Sequence, residues 1–131
     1  MSKSSPLVPV SIGELFDKIS ILEIKWERIP DPDKQANIAR EREVLSNAAA
    51  ELPQPEGLTE LRTALREVNE KLWEIEDEIR LCEKHQEFGP RFVELARSVY
   101  ITNDQRSQIK RDINTLCGSE LIEEKGYEEY S

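Results

Sequence analysis

Apolar residues recur along this chain in helical rather than alternating order. Between Leu58 and Cys82, the positions Leu58, Leu61, Leu65, Val68, Leu72, Ile75, Ile79 and Cys82 follow spacings of three and four without a break. Such a seam marks one face of a helix, and no Gly or Pro interrupts it, so the pattern predicts a single rod roughly 37 Å long. A rod of that length cannot bury its seam against itself. It requires partner helices or a second copy, and on sequence alone it is the central element of the fold.

A first helix is expected from Ser11 to about Ile29, where Pro30 ends it. Ser11-Ile12-Gly13-Glu14 reads as a capping box at its start. Ile12, Leu15, Ile19, Leu22, Trp26 and Ile29 form its stripe, widened by Phe16, while Ile21 and Ile24 fall on the opposite side. A helix that is apolar on two sides is expected to lie between neighbours. Asp31-Pro32-Asp33 starts a second helix that runs to Leu52, with a thin stripe of Ile38, Leu45, Ala49 and Leu52 beneath a charged outer face. Pro53 to Gly57 turns the chain into the long rod.

Gly89-Pro90 begins a fourth helix that ends near Ile101, with Phe88, Phe92, Leu95 and Val99 as its stripe. Thr102, with Gln105 three residues on, has the form of a fresh helix start. A fifth helix would then bury Ile109, Ile113, Leu116 and Cys117 and stop at Gly118, with Ser119 capping a last turn through Leu121 and Ile122. The expectation is an all-α antiparallel bundle of about five helices, helix three packed antiparallel on helix one. Its domain plan is a flexible segment over 1–10, one helical domain over 11–127 and a tail over 128–131.

Composition narrows the function. The chain has 131 residues and a net charge of -9, with 34% charged residues. Nucleic-acid binding needs a basic excess, so it is not expected; a helix-turn-helix reading with Arg106, Lys110 and Arg111 facing DNA fails on the same ground. No apolar run approaches the ~20 residues that span a bilayer, and the first nine residues have no secretory pattern, so a cytoplasmic protein without membrane insertion is expected. Cys82 and Cys117 sit at apolar helix positions and read as reduced thiols. With one histidine, His85, no zinc set is complete, and no metal or other cofactor is expected.

The richest polar constellation lies at the junction of helices four and five: Arg97, Tyr100, Asn103, Asp104, Arg106, Lys110 and Asn114. A helix N-terminus flanked by Arg and Lys can cradle a phosphate or carboxylate. The competing reading is that these cations pair internally with acidic residues. A second candidate pocket comprises Asn69, Trp73 and Asp77 on the long helix. Glu74 and Asp77, with Glu23, could in principle hold Mg²⁺, but no second acidic segment pairs with them. No nucleophile–histidine pairing supports a catalytic triad.

Four segments resemble a known family: VSIGELFDKISILEIKWERI (10–29), VNEKLWEIEDEIR (68–80), FVELARSVYITNDQR (92–106) and IKRDINTLCGSELIEEKGY (109–127). The family comprises short bacterial proteins known only as a domain of unknown function. The resemblance implies a setting among glycosyltransferase and cell-envelope polysaccharide genes, and brings no catalytic motif or residue role. The leading expectation is a non-enzymatic interaction or accessory protein whose partner is another protein or a second copy. The alternative is a binding domain or enzyme for a small phosphorylated ligand, such as a phosphate- or nucleotide-sugar, at the helix four–five junction.

Overall fold

The computed structural model describes residues 4–130; positions 1–3 of the expected flexible start, and Ser131, lie outside them. Four α-helices account for all regular structure among the described residues: α1 (Ile12–Arg28), α2 (Pro32–Ala50), α3 (Leu58–Lys84) and α4 (Pro90–Cys117). No strand occurs among them. Local chemistry explains most of the boundaries. Ser11 and Asp31 cap α1 and α2 with their side chains, Pro32 and Pro90 occupy first-turn positions, and Gly118 ends α4 in the left-handed conformation at φ 66°.

The expected fifth helix does not exist. Residues on both sides of Thr102 belong to one 28-residue helix, and Thr102 itself is only 1% exposed. A threonine followed three residues later by Gln caps a helix only when the threonine itself leaves helical geometry. Here the core face of Leu95, Thr102, Ile109 and Ile113 continues across the position, and packing holds the backbone helical. No helical turn follows Gly118 either; the Ser119 hydroxyl instead accepts from the Ile12 amide and donates to the Leu121 carbonyl.

The long rod is one helix, but it is not a central heptad element. Leu58, Leu65, Ile75 and Cys82 are buried, whereas Leu61, Val68, Leu72 and Ile79 are half-buried. The seam divides into two cores. Leu58 and Leu65 join Leu15, Phe16, Ile19, Ala49 and Ile113 in the larger one. Ile75 and Cys82 pack with Leu95 in a smaller one, flanked by Ile79, Phe92 and Val99. Buried Asn69 lies between them in sequence.

The hub is α1. Eight of its 17 residues are buried against five of the 27 in α3, and it packs on each of the other three helices. Ile24 on its second side is 1% exposed, so both sides of this helix face neighbours. Burying each large apolar side chain contributes about 1.5–3 kcal/mol, which favours the helix with the widest apolar surface as the hub. Directions also differ from expectation. Arg62 lies over the Phe16 ring and Arg28 reaches Glu74, so α3 runs parallel to α1. Helix α4 is antiparallel to α1, because Gly13 meets Asn114 while Asp17 meets Arg106. Beyond Glu74, α3 and α4 continue as a two-helix hairpin on which Leu81, Phe88 and Val93 are about half exposed.

Candidate binding cleft

The site begins at the first turn of α1, whose leading amides have no partners within the helix. Each finds a side chain: the Ile12 amide donates to Ser119 Oγ (3.1 Å), Gly13 to Asn114 Oδ1 (2.6 Å) and Glu14 to Ser11 Oγ (3.1 Å). Two of these acceptors come from the far end of the chain. The approach depends on Gly13, because a Cβ there would lie 2.4 Å from the Lys110 carbonyl oxygen. Only the serine half of the capping box forms. The Glu14 carboxylate turns away and accepts from Lys110 Nζ at 2.6 Å.

One turn on, Asp17 is buried at 1% exposure. Arg106 grips it with two donors, Nε to Oδ1 at 2.9 Å and Nη2 to Oδ2 at 2.5 Å. Asn69 of α3 donates to the same Oδ1 (2.9 Å) and to Ser20 Oγ (2.7 Å), and Lys110 Nζ stands 3.8 Å from Oδ2. A buried carboxylate is tolerated when it is paired and its lone pairs are filled, and both conditions hold. Hydrogen bonding to Asp17 holds the Arg106 guanidinium above its ordinary pKa despite burial. Among the described residues no buried polar side-chain atom lacks a partner.

Over this network lies the segment that follows α4. Gly118 turns the chain back, and residues 119–130 run back along α4 as a strap without helix or strand. At one end Glu123 accepts from Lys110 Nζ (3.4 Å) and pairs with Lys125, while Glu124 accepts from Arg111 (2.6 Å). At the other end the Tyr130 hydroxyl donates to Asp104 Oδ2 (2.6 Å), and its ring meets Tyr100 edge-on at 5.2 Å. Lysine hydrogen bonding lowers the Glu123 pKa, and donation to Asp104 raises that of Tyr130. Between strap, α4 and the start of α1 lies a cleft of about 1220 Å³. Five carboxylates line it (Glu14, Asp104, Glu123, Glu128 and Glu129) against three cations (Arg106, Lys110 and Lys125), a surplus of two negative charges.

Of the first predicted set, Tyr100, Asn103, Asp104, Arg106 and Lys110 share this cleft. Arg97 is exposed and does not line it, and Asn114 is buried beneath as the acceptor for Gly13. The helix N-terminus expected beside them is absent, since α4 is continuous; no free amides converge there to hold an anion. Of the second set, Asn69 is drawn into the Asp17 network, Trp73 is half-buried and Asp77 is exposed. Glu23 pairs with Arg66 and Glu74 with Arg28; among the described residues no metal-holding group occurs. His85 is exposed at the end of α3, and both cysteines are free thiols.

Sequence reasoning missed Gly13, Asp17, Ser20 and the strap residues Glu123, Tyr127 and Tyr130. One signal was legible. Asp17 precedes Ile21 by four positions and Ile24 by seven, which puts a carboxylate on the second buried side of α1. A carboxylate in that place demands a cation, and none on α1 can reach it.

No helix is long and apolar enough to cross a membrane among the described residues. No curated protein and no solved structure matches the chain. Residues 7–130 match the family of unknown function DUF6165, which spans nearly the full length, and the chain belongs to that family.

Proposed function

We propose that this protein is a non-enzymatic binding and accessory protein, and that the strapped cleft is its binding surface. The observation that carries this reading is the internal pairing of the cleft's cations. Arg106 and Lys110 are held by Asp17 and Glu14, so the floor offers preorganised shape rather than a free acid, base or nucleophile. The same pairing, with the negative surplus of the lining, disfavours the phosphorylated ligand that is the alternative reading of the sequence. A fragment screen by NMR on the full chain tests the reading. Hits should shift the amides of Tyr100, Asn103 and Ser107; hits confined to other surfaces, or none, would sink it.

A second reading, a protein partner or a second copy, is favoured by Leu81, Phe88 and Val93 on the projecting hairpin. Light scattering tests the second copy: a strict monomer with an unchanged mass after Val93→Glu removes self-association and leaves the cleft or a different protein. A cytoplasmic role beside glycosyl transfer or envelope polysaccharide assembly is supported by the family resemblance alone.

A further inference from the structure

The α4 wall of the cleft carries a ladder of neutral hydrogen-bonding side chains. Tyr100, Asn103 and Ser107 stand at spacings of three and four, so they share one helix face and line the same cavity. Unlike the ion pairs beneath them, they remain open to a ligand. Among the described residues the hydroxyls of Tyr100 and Ser107 and the amide nitrogen of Asn103 have no hydrogen-bond partner, and the Asn103 oxygen takes only a long 3.4 Å contact from Arg106. Aromatic rings bracket the ladder. Tyr100 and Tyr130 meet at one end, and Tyr127 hangs from the strap with its ring largely exposed.

This chemistry selects a ligand class. An anion would meet the negative surplus of the lining and would have to part Lys110 from Glu14 or Arg106 from Asp17. A small organic cation would suit the negative surplus, but it carries donors only and cannot accept from the hydroxyl and amide N–H groups of the ladder. Hydroxyl groups, in contrast, can both donate to and accept from the ladder without disturbing any ion pair. A flat C–H face suits exposed tyrosine rings, which are apolar in the plane and polar at the tip. A cleft of about 1220 Å³ is also larger than the roughly 300–1,000 Å³ of common small-ligand pockets, which leaves room for several rings.

We infer that the cleft binds a short neutral saccharide, with Tyr100, Asn103 and Ser107 contacting its hydroxyls and Tyr127 covering a sugar ring from the strap. This rests on the cleft being a binding surface.

Saturation-transfer NMR on the full chain tests it, with tri-N-acetylchitotriose and maltotriose as neutral probes and trigalacturonate and spermidine as charged ones. At least one neutral trisaccharide should receive saturation and bind more tightly than either charged probe. Tyr127→Ala and Ser107→Ala should each weaken that binding about tenfold, a difference of roughly 1.4 kcal/mol. Neither position is buried, and a circular dichroism spectrum like that of the parent shows that each variant is folded. Failure of both neutral probes, tighter binding of a charged probe, or unchanged affinity in both variants would overturn the inference. Fragments that bind the cleft where saccharides do not would remove the ligand class and leave the site standing. Fragments that also avoid the cleft would remove both.

Discussion

Asp17 and Arg106, 89 positions apart, form a two-pronged ion pair that pins the second turn of α1 to the middle of α4. The carboxylate is buried and the guanidinium partly so, which makes the pair costly to break from one side. The strap, the Lys110–Glu14 pair and the cleft are all arranged around it.

Removing one partner leaves the other without its counter-charge. Arg106→Ala should therefore lower the free energy of unfolding by about 3–5 kcal/mol, read from urea denaturation, whereas Asp17→Leu combined with Arg106→Met should recover most of that loss. A single variant as stable as the parent would show that the pair does not hold α1 on α4.

Gly13 is where the two backbones come closest. Gly13→Ala places a methyl group 2.4 Å from the Lys110 carbonyl, so the helices must separate, at a cost of about 1–3 kcal/mol. Gly126→Ala is the control: no atom lies within 4 Å of its added Cβ and its φ is not in the left-handed region, so its melting temperature should equal the parent's. Equal melting of both variants would mean the contact at Gly13 yields without strain.

Continuity of α4 can be tested at Asn103. In a separate fifth helix capped by Thr102, Asn103 would be the first helical residue, where proline is well tolerated. Inside one helix, Asn103→Pro removes a backbone hydrogen bond and clashes with the preceding turn, at about 3 kcal/mol or more. Thermal denaturation distinguishes these outcomes, and an unaffected variant would restore the two-helix arrangement.

The strap should stay docked only within a pH window. Glu123 has a lowered pKa in the folded chain, first through its hydrogen bond from Lys125 within the strap and also through Lys110 of α4. The Lys110 part anchors the strap; it is present above the ordinary carboxylate range and is lost as pH falls through the lowered value. Tyr130 has a raised pKa through its bond to Asp104. Its contribution is complete below the ordinary phenol range and fades as pH rises through the raised value. The Tyr100–Tyr130 nuclear Overhauser effect should therefore be strongest near neutrality and weaken toward both extremes. Both groups are exposed, so salt should weaken the Glu123 end further. A contact that is flat with pH would show that neither group anchors the strap.

Much of the candidate site was visible as residue types before it was visible as a place. Tyr100, Asn103, Asp104, Arg106 and Lys110 were grouped around an expected helix junction, and they share the cleft although that junction is a continuous helix. Their partners were not visible. Glu14 had a local explanation as half of a capping box, and Asp17 had none. Residues 123–127 appeared only as the end of the helical domain and 128–131 only as a tail.

What the amino-acid order determined by itself is whatever acts within a few residues. This includes the helices α1, α2 and α3, the helical character on both sides of Thr102, the caps at Ser11, Asp31 and Gly118, the proline starts at Pro32 and Pro90, and the two-sided apolar surface of α1. Tertiary structure decided the rest. It made α1 rather than α3 the hub, carried α4 through Thr102, set α1 parallel to α3, and brought the strap back over Lys110. The reason is physical. Caps and periodicity are energies of neighbours along the chain, whereas a buried threonine or a carboxylate facing a guanidinium 89 residues away depends on which helices enclose it.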